Sequence, residues 1–438
     1  VLGSGRQEFS ECDSAVIALD GVNGKLLWNV HARDQIFGSA NFLDINNDNT
    51  PDVLIGGRSA EFMAINGKTG EIIWDFFPEG DTADFRAKKM YNFYNPQFIA
   101  DQDNDGIQDI LVSNGGDVTA EPYDGNRPTG WLMVISSKAG KLLAKAPMPD
   151  GKEIYMSVLV DDIDNNEVLD IVYGSGGETV GGSLFRTTLP DLMKEDISHS
   201  TLMATGDTKG FIGPPVLADI NKDGVKDIIV NSVDGRLMAF DGVTNEVVWG
   251  GKVPNTEAYS SLAAGDVNGD AIPDFFTLFA IGVWPKLESI RLFLVDGSRG
   301  KIIFTDSIGF YQMSTPLLGD FNSDQQVDAL LNVNFFLPND KGEKTIHNTM
   351  LVYDFANSNK YALVEPMVGS NVASTPWVGD LDDDGFLDII YCNMTTPDKV
   401  YTFDGMRVIR IKTKLPASNK LPWGGYMGND HTGVFGND

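Results

Sequence analysis

One nine-residue pattern, D-x-[DN]-x-[DN]-x-x-x-D, occurs seven times, beginning at Asp44, Asp101, Asp162, Asp219, Asp266, Asp320 and Asp380. Asp161 also precedes the third copy, but counting back from Asp170 selects Asp162 as its start. Successive starts lie 57, 61, 57, 47, 54 and 60 residues apart. A period of that length marks one supersecondary unit copied along the chain, because a unit so small cannot bury its apolar faces alone. The repeat therefore overrides the expectation of about three separate domains for 438 residues.

The flanks of the pattern repeat as well. An apolar segment precedes each copy, as in Thr315-Pro316-Leu317-Leu318-Gly319-Asp320, and a β-branched run follows, as in Asp227-Ile228-Ile229-Val230. Each unit then carries a hairpin with a Gly- or Asn-containing turn, at residues 63–74, 237–249 and 292–304 for example. The unit reads strand A, acidic loop, strand B, loop, strand C, tight turn, strand D. Four antiparallel strands in about 55 residues make one propeller blade. The fold class predicted is thus an all-β propeller of four-stranded antiparallel blades, with residues 1–438 as a single domain.

Eight C–D hairpins accompany seven acidic loops, because residues 15–28 form a hairpin before the first loop. Residues 1–6 resemble residues 53–58 and read as a strand B without its strand A. Pro422-Trp423-Gly424-Gly425 resembles Pro376-Trp377-Val378-Gly379 and is expected to supply that strand. Residues 1–31 and 415–438 would then share the closing blade of an eight-bladed ring. Seven blades with an appended N-terminal hairpin is the alternative.

The acidic loops also account for the charge. Asp plus Glu number 62 against 33 for Lys plus Arg, a formal charge of −29. Such a chain repels nucleic acid and anionic membranes. No uncharged apolar run approaches the ~20 residues that span a bilayer. Oxygens at positions 1, 3, 5 and 9, with the backbone carbonyl at position 7, suit the six to eight oxygen ligands of Ca²⁺. The expected ligand sets are Asp44, Asn46, Asp48, Thr50 and Asp52; Asp101, Asp103, Asp105, Ile107 and Asp109; and Asp162, Asp164, Asn166, Val168 and Asp170. The next two are Asp219, Asn221, Asp223, Val225 and Asp227, then Asp266, Asn268, Asp270, Ile272 and Asp274. The last two are Asp320, Asn322, Asp324, Gln326 and Asp328, then Asp380, Asp382, Asp384, Phe386 and Asp388. Gly106, Gly224 and Gly385 at position 6 suit a left-handed turn, whereas Asn49, Glu167, Ala271 and Gln325 there imply strain. Seven divalent ions would bring the formal charge from −29 to −15. Extracellular Ca²⁺ modules bind at about 10⁻⁴–10⁻³ M, which points to an extracytoplasmic, secreted or cell-surface protein.

The acidic loop with its flanking strands resembles the FG-GAP (VCBS-type) repeat of integrin α-subunit propellers and bacterial surface proteins. The hairpin Ala18-Leu19-Asp20-Gly21-Val22-Asn23-Gly24-Lys25-Leu26-Leu27-Trp28 resembles the repeats of pyrroloquinoline-quinone enzymes. The chain as a whole is similar to bacterial "PQQ-binding-like" propeller proteins. It departs from quinoprotein dehydrogenases in having no adjacent cysteines and no C-x-x-C-H haem-attachment motif. Trp28, Trp74 and Trp249 are expected to pack between blades. Cys12 and Cys392 would lie in neighbouring blades of the closed ring, within reach of a disulfide or left as free thiols.

The loops after strand B and before strand A lie at the other end of each blade. There Gly56-Gly57-Arg58, Gly115-Gly116-Asp117 and Gly176-Gly177-Glu178 repeat a Gly pair followed by a charge, which would let a ligand approach the backbone. Residues 78–96 concentrate Arg86, Lys88, Lys89, Tyr91 and Tyr94, and further loops bring Tyr123, Arg127 and Trp284. Arg58, Arg86, Lys88, Lys89, Tyr91, Tyr94, Asp117, Tyr123, Arg127, Glu178 and Trp284 are the partner-binding candidates. His31, His199, His347 and His431 share no metal-ligand spacing, and no nucleophile motif occurs. The sequence therefore reads as a non-enzymatic, Ca²⁺-stabilised surface propeller that binds a protein or polysaccharide partner. The competing readings are a lyase acting on acidic polysaccharides, a quinone-dependent oxidoreductase and an architectural subunit of a surface assembly.

Overall fold

The computed structural model describes residues 1–77, 91–206, 208–310, 312–399 and 403–436. The repeat unit folds as its pattern predicts. In the second sheet strands Asn41–Leu43, Asp52–Gly56, Phe62–Ile65 and Ile72–Asp75 pair antiparallel in chain order, with Leu43 opposite Asp52 and Ala64 opposite Trp74. The acidic loop joins the first two strands and a tight turn joins the last two. Strand Asp52–Gly56 is buried along its whole length, whereas the outer strand is buried only at Trp74.

Eight such sheets follow one another along the chain, so the fold is an all-β, eight-bladed propeller and the seven-bladed alternative falls. Two sheets have three strands among the described residues: Leu2–Gly3, Cys12–Leu19 and Leu26–Ala32 at the start, and Trp377–Gly379, Phe386–Met394 and Met406–Pro416 at the end. One short helix, Leu189–Met193, replaces the C–D turn of the fourth sheet. Sheets one to four belong to one compact unit and sheets five to eight to a second.

Within the first unit, the two-residue period of each strand divides its side chains between two interfaces. Val53, Ile55, Met63 and Ile65 pack with Val16, Trp28 and Val30 of the first sheet. Leu54, Phe62 and Ala64 point the other way, onto Phe93, Ile110, Val112 and Met133 of the third. The second unit repeats this arrangement. Leu331 and Val333 join Phe276 and Leu278, while Leu330 and Val352 join Ile389 and Tyr391. A strand buried on both faces needs apolar residues in succession rather than in alternation, which is what the runs after each acidic loop supply.

The expected role of the three tryptophans is observed. Trp28 Nε1 donates to the carbonyl of Gly67 at 2.9 Å, Trp74 to Ser137 at 2.6 Å and Trp249 to Gly297 at 2.7 Å, in each case at the C–D turn of the following sheet. The rings lie flat over Gly70, Gly140 and Gly300, where a Cβ would come within 2.6–2.7 Å of the ring carbons. Those glycines also hold φ of +77°, +63° and +65°, so both conformation and contact demand glycine.

The C-terminal segment pairs with strands of the second unit. The backbone of Trp423 exchanges both hydrogen bonds with Leu318, at 3.0 and 3.1 Å, and the segment then bridges Val434 to Leu217. These contacts lie on strands Leu317–Gly319 and Val216–Ala218. Trp423 is fully buried there because its indole joins the apolar cluster of Ala263, Leu318 and Val327. Cys12 and Cys392 are both free thiols.

Trp74→Phe keeps most of the ring but leaves the buried Ser137 carbonyl unpaired, and should destabilise the protein by about 1–3 kcal/mol in urea unfolding. A change within about 0.3 kcal/mol would contradict this inter-blade bond.

Candidate metal centres

All seven acidic loops share one backbone frame. Positions 4 and 6 both adopt positive φ: Asn47 and Asn49, Asn104 and Gly106, Asn165 and Glu167, Lys222 and Gly224, Gly269 and Ala271, Ser323 and Gln325, and Asp383 and Gly385. The position-1 carboxylate accepts the N–H of position 6 in every copy at 2.8–3.0 Å. The position-5 side chain accepts the N–H of position 7 at 2.8–3.0 Å, again in all seven. These bonds wrap each loop around its own oxygens. The left-handed residue at position 4 was not foreseen, although Asn, the non-glycine residue best suited to it, fills it three times.

Where position 3 is Asn, the side chain keeps the same orientation. Asn46, Asn221, Asn268 and Asn322 each accept the N–H of position 5 at 2.8–2.9 Å, as Asp103 does at 3.2 Å. The carboxylate oxygens of Asp101, Asp103 and Asp109 lie within 4.8 Å of one another, and so do those of Asp162, Asp164 and Asp170 and of Asp380, Asp382 and Asp388. Oxygens on opposite sides of a Ca²⁺ ion, each at 2.3–2.6 Å, are about 4.6–5.2 Å apart, so these clusters can hold a metal ion.

Position 9 is buried and joins the loop to the rest of its blade. Asp52 accepts the N–H of Gly67 at 3.0 Å, Asp227 that of Gly242 at 3.2 Å and Asp274 that of Gly297 at 3.3 Å, each at the C–D turn. The fourth and eighth blades have no such turn, and arginines replace it: Arg186 binds Asp170, and Arg410 binds Asp388, each through Nε and Nη2. Asp328 has neither device, and its Oδ1 is buried with no hydrogen-bond partner among the described residues. Burial, reinforced by the neighbouring aspartates, pushes Asp227 and Asp274 up to about 6 and Asp328 to about 7. Asp52 and Asp109 are raised by burial in the same sense. A divalent ion beside these groups would offset that desolvation.

At the opposite ends of the strands the partner candidates separate. Arg58 pairs with Glu8 at 2.6 Å and stacks over Phe37, whose ring meets Tyr94, which in turn meets Tyr155. Tyr155 donates to Glu153 at 3.1 Å, and Arg127 lies 3.5 Å from the same carboxylate. Arg58, Tyr94 and Arg127 are therefore joined in one row through residues that the sequence reading passed over. A signal for them existed: Glu153-Ile154-Tyr155 recurs as Glu257-Ala258-Tyr259, with the same Tyr-to-Glu hydrogen bond and both glutamates buried.

The Gly pairs serve the fold at this row. A Cβ on Gly116 or Gly177 would fall 2.5–2.8 Å from the Tyr155 ring, so what approaches the backbone closely is a side chain of the protein itself. Arg127 donates to the carbonyls of Asp117, Glu121 and Asp124 and so organises its own loop. The Asp117 carboxylate accepts from Thr119, the Glu178 carbonyl accepts from Lys209, and Trp284 N–H donates to Glu257. Tyr91 is tied to Asn114 through its backbone, and Tyr123 is exposed. Arg86, Lys88 and Lys89 lie outside the described residues.

The repeat and its blades define a β-propeller, and the comparisons with known proteins place it among others of that architecture. The quinohaemoprotein alcohol dehydrogenase of Comamonas testosteroni superposes with a TM-score of 0.58 at 13% identity, covering 94% of this chain and 76% of that one. A europium-containing methanol dehydrogenase gives 0.54 at 11% identity, over 87% of this chain and 79% of that one. The quinohaemoprotein alcohol dehydrogenase ADHIIG of Pseudomonas putida HK5 gives 0.53 at 13% identity, over 89% and 68%. At such identities the likeness is one of fold. It agrees with the PQQ-enzyme-like hairpins. No protein-family model and no curated protein matches the chain, so the FG-GAP resemblance gains no support from them. Among the described residues no helix is long and apolar enough to cross a membrane.

The raised aspartates set a pH dependence. An unfolded Asp titrates near 3.9, so between there and pH 7 the folded state binds more protons at Asp227, Asp274 and Asp328. Their contribution to stability is favourable at low pH and is lost as pH rises from about 4 to 7. Asp328→Asn should accordingly raise the Tm of chelated protein at pH 7.5 and leave it unchanged near pH 4. An equal effect at both pH values would contradict the assignment.

Proposed function

We propose that this protein is a non-enzymatic propeller stabilised by Ca²⁺ at its acidic loops, working outside the cytoplasm and binding a protein or polysaccharide at the opposite ends of its blades. The observation that carries the reading is the sevenfold frame, in which oxygen ligands converge in the same order and, outside the two loops whose ninth carboxylate is gripped by Arg186 or Arg410, that buried carboxylate is left short of positive charge. Ca²⁺ suits these loops better than Mg²⁺, which demands a rigid octahedron and keeps its waters. Millimolar affinity would keep them loaded outside a cell.

The non-enzymatic part rests on the chain's own residues. The sequence departs from quinoprotein dehydrogenases in having no adjacent cysteine pair and no C-x-x-C-H haem-attachment motif. Of the basic residues that a lyase groove would use, Arg127 is engaged by three carbonyls of its own loop, and Arg86, Lys88 and Lys89 lie outside the described residues. The row from Arg58 through Phe37 and Tyr94 offers a partner an aromatic and cationic surface, with Phe37 the most exposed ring in it.

Chelation at pH 7.5 should lower the Tm by on the order of 10 °C, and millimolar Ca²⁺ should restore it. An unchanged Tm would refute the stabilising role. Phe37→Ala with Arg58→Ala should weaken capture on a glycan array or by an envelope protein at least tenfold without moving the Tm by more than a few degrees. Retained binding would move the partner site elsewhere.

A further inference from the structure

The acidic loop at residues 380–388 differs from the others in what faces it. Arg410 Nε lies 2.8 Å from Asp388 Oδ1, and its Nη2 lies 2.6 Å from Asp388 Oδ2 and 2.7 Å from Asp382 Oδ2. Lys412 Nζ lies 2.8 Å from Asp382 and 3.4 Å from Asp384. Three of the four carboxylates expected to surround an ion therefore already hold a cation of the chain. Together the two side chains carry a formal charge of +2, equal to that of one Ca²⁺.

Strand register shows that this is a substitution at a defined place. Arg410 stands opposite Ile390, two residues beyond the ninth-position Asp388. At the same register the second, third, fifth, sixth and seventh blades have Ala64, Val134, Ala239, Leu294 and Val352, none of which can reach a carboxylate. Only the fourth blade matches, with Arg186 opposite Val172, and there the guanidinium grips Asp170 through the same two nitrogens. The bidentate grip fixes the guanidinium and neutralises the carboxylate that the other blades leave short of charge. Arg410 and Asp388 are nearly buried, so the pair is little screened by water.

We infer that Arg410 and Lys412 close the loop of residues 380–388 in place of Ca²⁺, so that this blade is cross-linked without metal and adds nothing to the number of ions bound. The inference rests on the Ca²⁺ reading for the other loops. A chain whose final blade is held by its own cations keeps that blade folded when external Ca²⁺ falls.

The test counts Ca²⁺ per full-length chain by equilibrium dialysis and elemental analysis. Asp105→Ala and Asp384→Ala remove the same fifth-position ligand from two loops. Asp105→Ala should lower the count by one and Asp384→Ala should leave it unchanged, while Arg410→Ala with Lys412→Ala should raise it by one. Loss of one ion in Asp384→Ala would overturn the inference and leave the Ca²⁺ reading intact. A wild-type count of zero would refute the Ca²⁺ reading; one ion gained by the double variant would still uphold the inference, and none gained would overturn it too. Should the double variant fail to fold, Asp384→Ala, at a surface position, decides the matter alone.

Discussion

The buried ninth-position carboxylate is the group on which each blade with an acidic loop depends. Asp52 takes the N–H of Gly67, and the carbonyl of that same residue takes the indole of Trp28 from the preceding blade. Gly297 does the same between Asp274 and Trp249. One turn residue thus connects an acidic loop, its own hairpin and the neighbouring blade. The carboxylate that makes this connection is buried among other aspartates, so its charge must be met by something. Where a turn amide is missing, arginine meets it at Asp170 and Asp388, and at Asp328 one oxygen has no hydrogen-bond partner among the described residues.

The architecture was legible because its signal is periodic. Seven acidic loops in register, the apolar runs after them and the hairpins ending in Trp28, Trp74 and Trp249 led directly to eight sheets and to the inter-blade tryptophans. Such features depend on residues close in sequence. What escaped depends on pairing between distant segments. Arg410 is 22 residues beyond Asp388 and reaches it only because their strands are adjacent. Trp423 pairs with the distant Leu318, whose apolar surroundings bury the indole. The Gly pairs read as openings for a ligand because nothing nearby in sequence announces Tyr155, which fills the space.

The same distinction separates fold from function. Propellers that share 11–13% identity with this chain include dehydrogenases, so the scaffold alone selects no activity. What this chain adds is the distribution of its charge. Acidic groups gather in the loops at one end of the blades, while the other end carries a row of aromatic rings and arginines bound largely to partners within the protein. Ordered rows of that kind present a fixed surface at low entropic cost.

A crystal structure grown in millimolar Ca²⁺ and phased to reveal metals tests the central claim most directly. The account predicts an ion at residues 101–109, held by Asp101, Asp103, Asp105, Asp109 and the carbonyl of Ile107, with the Arg410 guanidinium in the corresponding place at residues 380–388. Loops closed only by their own N–H groups, with water where the ion should lie, would contradict it.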